Sequence, residues 1–330
     1  MLFQKRQDVT DTRSVSLNSS VTFEIQRDFH LESLELVISG SVTTFGTINS
    51  EGLLGLIRRI NLSVNDGNSR NVVDVTGRGL LEYNSAIGML PDRQTVAALS
   101  QNAAGAFTIR LPIYFAHPQL IDPVRSVTLL PTPRYASNPI LRVDIGSATD
   151  VGTGFTIAST LSVYVVRNMR VVTIPAFQFR DCELSENIIN FSATGPQQRY
   201  EILIPGFTSG LLIRTYTNAT TRGNIISTNG FISLEALGTN FRRLNPLDIA
   251  AENDRSLSIN RFDHSFYFDF LTDTAGDSVI EMSSLFDGNI YAASGGKPTI
   301  QFDIGAANSQ ARIVQHRIFG DLTPFQLVKN

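Results

Sequence analysis

The sequence predicts an all-β fold: two tandem eight-stranded jelly rolls, a double jelly roll, with short helices in the loops between strands. Three observations predict it. Apolar residues recur at every second position through most of the 330 residues, as half-buried antiparallel strands require. Helical spacing is scarce. The second half of the chain also repeats the first. The segment from Asn138 to Gly146 (NPILRVDIG) resembles the segment from Lys297 to Gly305 (KPTIQFDIG), 159 residues on. The same offset carries Phe107, Ile109 and Leu111 onto Phe266, Phe268 and Phe270. Ile60 and Leu62 match Ile232 and Leu234 at an offset of 172, and Phe23, Ile25, Leu34 and Leu36 match Tyr200, Ile202, Leu211 and Ile213 at 177. Any one match is weak, because alternating strands resemble one another. A shared order with drift in one direction is what insertions leave in a duplicated domain.

The elements follow in order. Residues 1–16 are polar and read as an N-terminal arm. Residues 17–169 hold the first jelly roll, with strands near 20–28, 32–44, 54–66, 69–76, 105–115, 124–130, 138–146 and 156–168. The triplet Asn65-Asp66-Gly67 is a strong hairpin turn. Leu80, Tyr83, Ile87 and Leu90 step by three and four, as on a short helix. Asp92 caps a second helix through Val96 and Leu99. A connector over 170–195 contains Cys182. The second jelly roll occupies 196–330, with strands near 197–205, 209–218, 229–237, 255–259, 262–272, 288–293, 297–305 and 310–319 and a short tail from 321. Asn245-Pro246 reads as a cap followed by proline at the first helical position, and Val279, Met282 and Phe286 suit one more helix. Eight antiparallel strands with long crossing connections suit two sheets packed face to face.

Composition excludes several function classes. Hydrophobic residues make up 42% and charged residues 17%, too apolar a balance for disorder. A net charge of −3 excludes a wholesale basic footprint for nucleic acid, so no direct sequence-specific contact with it is expected. One cysteine excludes an internal disulfide framework and a Cys-cluster zinc site. No apolar run approaches the roughly 20 residues of a membrane span. Met1 to Arg13 lacks the apolar core of a secretory signal, so synthesis in the cytoplasm is expected, and four Asn-x-Ser/Thr tripeptides read as chance. Lysine occurs only at Lys5, Lys297 and Lys329, which leaves 24 arginines. Arginine's forked, weakly hydrated guanidinium suits contact surfaces.

A search for chemistry assigns no catalytic residue. The chain's four histidines, His30, His117, His264 and His316, lie far apart in sequence, whereas a cupin-type metal site pairs two on one strand. There is no Gly-x-Ser-x-Gly elbow, and Gly295-Gly296-Lys297-Pro298 lacks the spacing of a phosphate loop. Cys182 sits between Asp181 and Glu183, whose charge raises a thiol pKa, so it reads as inert. A carboxylate dyad has no linear signature, but the absence of tryptophan argues against a sugar site. Asp144 and Asp303 occupy equivalent strand ends and are weak candidates for structural calcium, the one cofactor option; turn-forming aspartates are the plainer reading. The basic pairs Arg58-Arg59 and Arg242-Arg243 are candidates for salt bridging at a subunit boundary, with a solvated strand end as the alternative.

The segment Leu56-Ile57-Arg58-Arg59-Ile60-Asn61-Leu62-Ser63-Val64-Asn65-Asp66-Gly67, followed by Val73-Asp74-Val75 and Leu80-Leu81-Glu82-Tyr83-Asn84, resembles a strand, turn and short helix of a known family. Phe23-Glu24-Ile25 and Leu34 through Gly40 resemble that family's first strand pair. The family is the double jelly-roll major capsid proteins of tailless, icosahedral, membrane-containing bacteriophages. The resemblance covers nearly the whole chain as pattern and order rather than as a fixed motif. It implies a homotrimer whose six barrels give a pseudo-hexagonal capsomer. Such capsomers would tile a virion shell beside neighbouring capsomers and a vertex (penton) protein, over an internal lipid membrane. Lys5 and Arg6 of the arm would then meet anionic headgroups. A glycan- or receptor-binding viral spike, or a hydrolase on the same scaffold, are the alternatives.

Overall fold

A computed structural model describes residues 4–116, 129–171, 181–203, 207–236, 239–257, 263–269 and 298–319. The strand expected at 288–293, most of that at 124–130, the helix through Val279, the tail, His117 and Lys297 lie outside the described residues. The chain divides into two units, Met1–Ser185 and Glu186–Asn330. The division falls inside the expected connector.

The first unit contains β1 (Gln4–Val9), β2 (Arg13–Ser16), β3 (Ser20–Glu24), β4 (His30–Thr44) and β5 (Thr47–Ile48). A 3₁₀ turn (Gly52–Leu56) leads into β6 (Ile57–Asn65) and β7 (Ser69–Val75). Helices α1 (Gly77–Ala86) and α2 (Arg93–Leu99) precede β8 (Gly105–Tyr114) and β9 (Ile140–Ile145). A single helical turn, α3 (Ala148–Val151), leads to β10 (Gly152–Thr153), β11 (Thr156–Ile157) and β12 (Thr160–Val171). Strand β13 (Cys182–Phe191) begins in this unit, and its residues from Glu186 belong to the second. There follow β14 (Gly195–Glu201), β15 (Phe207–Tyr216), β16 (Ile232–Ala236), β17 (Thr239–Leu244), α4 (Pro246–Leu257), β18 (Ser265–Asp269), β19 (Thr299–Ile304) and β20 (Ser309–Ile318).

The two units share one wiring. In the first, one sheet runs β7-β6-β9-β3 and the other β8-β4-β12-β1. In the second, the corresponding orders are β17-β16-β19-β14 and β18-β15-β20-β13. Even the register is kept. Phe23 faces Leu141, and their equivalents Tyr200 and Ile300 face each other. Ile60 and Leu62 face Val143 and Leu141; Ile232 and Leu234 face Phe302 and Ile300. A register slip of one residue would turn each apolar set outward, so burial of one face fixes the pairing. In the second unit Leu211, Ile213 and Phe268 from one sheet join Ile232, Ile300 and Phe302 from the other in a single core. The alternation of β8, with Phe107, Ile109, Leu111 and Ile113 buried, is the same device in the first unit.

The helices form where caps dictate. Asp92 Oδ1 accepts from the amides of Gln94 (2.7 Å) and Thr95 (3.2 Å), and Oδ2 accepts from Thr95 Oγ1 (2.7 Å). Asn245 Oδ1 likewise accepts from Leu247 and Asp248 at the start of α4. Asp92→Ala should cost about 1 kcal/mol, read in thermal unfolding as a loss of about 2–4 °C. Asp92→Asn should keep most of that stability, and an unchanged melting temperature for the alanine variant would refute the cap's role.

Four expectations need correction. Residues 4–16 are not a free arm. Gln4–Val9 pairs antiparallel with Val171 through Val166, and Arg13–Ser16 with Val163 through Thr160. Their polar side chains are tied sideways, Gln7 to Asn168 and Asp8 to Arg167. The connector also carries a strand, β13, whose inward set Cys182, Leu184 and Glu186 includes a carboxylate and so hides its alternation. No strand begins at 255, because the α4 helix set up by Asn245 and Pro246 continues to Leu257. Finally, β17 contains the adjacent pair Arg242-Arg243, which masks its strand period.

Candidate functional site

The predicted site residues are mostly engaged within their own unit. Arg58 donates to Asp150 Oδ2 from Nε (3.0 Å) and lies 2.7 Å from it through its second nitrogen. That carboxylate also accepts from the Ser147 amide (2.6 Å) and hydroxyl (2.9 Å). Partial burial works to raise the Asp150 pKa, but the Ser147 amide and Arg58 outweigh it and hold the carboxyl below its ordinary value. Arg59 pairs with Asp74 at 2.5 Å across β6 and β7. Arg58 and Arg59 therefore brace their own barrel, although Arg58 keeps 47% of its side chain exposed. Arg243 is exposed, with its guanidinium 4.5 Å from the Phe231 ring centre. Arg242 faces Leu234 in the β16–β17 register. Arg6 lies 4.8 Å over Phe29, and Lys5 is opposite Arg170.

The two repeat-related aspartates serve different partners, Asp303 the backbone and Asp144 a side chain. Asp303 Oδ1 accepts from the Gln197 amide and Oδ2 from the Phe231 amide, both at 3.0 Å. It thus ties β19 to its neighbours on either side. Asp144 Oδ1 accepts from Arg142 Nε at 2.8 Å. Among the described residues, no group of three or more His, Cys, Asp or Glu side chains is placed to hold a metal ion.

Cys182 is buried. Burial pushes its thiol pKa far up, and Asp181 adds to the shift. The sequence supplied the Asp181 contribution and not the larger one. In native protein at pH 8 Cys182 should be alkylated at least about a hundredfold more slowly than in denaturant. Equal rates with a chromogenic thiol reagent would show the site to be open.

The groups that sequence reasoning missed are buried ion pairs. Arg214 and Glu186, both wholly buried, pair across β15 and β13, and Arg214 also donates to the Tyr216 hydroxyl at 2.9 Å. Arg170 makes a two-pronged pair with Glu32, at 2.9 and 3.0 Å, between β12 and β4. The partners lie 28 and 138 residues apart, so no linear spacing announces them. A cleft of about 260 Å³ in the first unit is lined by Ser33, Glu35, Asn84, Asp92 and Tyr114 among others. Its two carboxylates already serve other partners: Glu35 accepts from Arg110, and Asp92 caps α2.

No family model and no curated protein matches the chain. Solved structures do. The STIV MCP, from Sulfolobus Turreted Icosahedral Virus, superposes with a TM-score of 0.71 at 15% identity over 99% of this chain and 100% of its own. The fold is a double jelly roll. The major capsid protein P2 of bacteriophage PM2 gives 0.57 at 13% identity, over 94% of this chain and 99% of P2. The PBCV-1 virus capsid gives 0.61 at 9%, over 96% and 94% of the respective chains. At such low identity the double jelly roll is shared as architecture, since few side chains correspond. The strand order and kept register above are the internal signature of the same architecture.

Proposed function

We propose that this double jelly roll is a major capsid protein, a structural subunit rather than a catalyst. The observation that carries the reading is the full-length match to the STIV MCP by a chain whose two units keep the same strand order and register. The physical logic is symmetry. A duplicated barrel lets a threefold object present six similar sides to a lattice. The subunit is then a homotrimer in solution, a capsomer among like capsomers in the virion, and a neighbour of a separate vertex protein. An internal membrane below the shell remains part of this proposal, with Lys5 and Arg6 of β1 as the groups that would meet its headgroups.

Light scattering on the purified protein tests the reading. The expected mass is about three times the 36.2 kDa chain, with hexagonal outlines in negatively stained micrographs. A monomer that persists at high concentration and forms no ordered array would overturn it.

A further inference from the structure

The internal repeat points to a contact that neither unit completes on its own. Leu184 and Ser185, the last residues of the first unit, run parallel to Val73 and Asp74 of β7. The outer edge of β7 is thus covered by a strand start. The second unit contains the same strand as β17. Leu62 and Asn61 face Val73 and Asp74; their equivalents Leu234 and Ser233 face Arg242 and Arg243. Arg242 and Arg243 therefore stand where Val73 and Asp74 stand. Yet β17 ends its sheet, and among the described residues nothing pairs with its outer side.

The covering strand also has an equivalent. The offset of 177 residues that takes Phe23 to Tyr200, read back without a gap, takes Gln7 and Asp8 to Leu184 and Ser185. Those residues lie in β1, which also ends its sheet. Each unit thus has an uncovered strand edge that matches one half of the β13–β7 pair.

We propose that β1 of one copy pairs in parallel with β17 of a second copy of this chain, Gln7 opposite Arg242 and Asp8 opposite Arg243. This rests on the assembly reading above and names its contact. The two strands have six residues each, and the register lines them up end to end, from Gln4 opposite Thr239 to Val9 opposite Leu244. The pairing sets a carboxylate, 54% exposed, beside an exposed arginine. It also covers Val9, which is 55% exposed, with the half-buried Leu244. Opposite charges and apolar pairs across strands favour association, and like charges oppose it. Two β17 edges would bring arginines together, so the charges disfavour self-pairing, a known safeguard for open edges. One chain offers one β1 edge and one β17 edge. Such a head-to-tail contact closes into a ring when the rotation allows.

Two measurements test this on the full chain. Val9→Cys and Leu244→Cys, made in separate chains and mixed, should give a disulfide-linked dimer on mild oxidation; neither variant alone should, and the buried Cys182 should not interfere. On unsubstituted protein, hydrogen exchange over residues 4–9 and 239–244 should slow by about tenfold or more between dissociated chains and trimer. A trimer without the cross-link and without protection of either segment overturns this pairing and leaves the capsid reading intact. Absence of any trimer overturns both.

Discussion

Arg214→Met should destabilise the second unit by about 3–5 kcal/mol, among the largest effects of any single substitution in the chain. Arg214 and Glu186 are wholly buried, and the guanidinium also serves the Tyr216 hydroxyl. Removing the cation takes from the buried Glu186 carboxylate the charge that balances it. Desolvation of a lone charge costs far more than the net gain from the pair. The same reasoning predicts a rescue. Arg214→Met combined with Glu186→Leu removes both charges and should recover most of the loss. Urea unfolding of the two variants decides the matter. Equal midpoints for the single and double variants would mean that packing, and not charge, governs the site.

Acidification should produce the second large effect. His316 is buried next to Ser209, which contacts its Nδ1. Burial lowers its pKa from 6.5 to about 4. The neutral ring is the folded form, whereas the unfolded chain takes up a proton near its ordinary pKa. The contribution of this group is therefore complete above about pH 6.5 and is lost as pH falls toward 4. It amounts to about 3 kcal/mol across that window. His30 is shifted in the same direction, by burial first and Arg134 second, and steepens the decline. Many carboxylates titrate below pH 5, so the informative quantity is the difference between the native protein and His316→Leu. Relative to the leucine variant, the native protein should lose about 3 kcal/mol between pH 7 and pH 4. Parallel stability curves for the two proteins would contradict it.

What the sequence reveals here depends on which residues face inward. Strand β8 is legible because Phe107, Ile109, Leu111 and Ile113 are all apolar and all buried. Helix starts at Asp92 and Asn245 are legible because capping is local chemistry. Strands β13 and β17 are not, because an inward glutamate and an adjacent arginine pair break the alternation on which the reading relies. The glutamate becomes intelligible only with Arg214 in place, and its partner comes from a different strand. β1 is polar up to Val9 and is held by its neighbour β12 rather than by its own pattern. The candidate sites divide similarly. Asp144 and Asp303 occupy equivalent places, but the Gln197 and Phe231 amides that Asp303 binds are a tertiary fact, whereas Asp144 accepts from the guanidinium of nearby Arg142.

The kept register also creates a hazard during synthesis. β9 and β19 are each the central partner of a like pair of strands, so either segment is shaped to enter the slot of the other. Chain order relieves this ambiguity. β9 emerges and pairs with β3 and β6 long before β19 leaves the ribosome, as domains generally fold in the order of their synthesis. Where the two strands differ, steric fit enforces the choice: Phe302 takes the position of Val143 and is too bulky for the N-terminal slot. Refolding from denaturant, with both halves present at once, removes the temporal safeguard and leaves selection to that difference in volume.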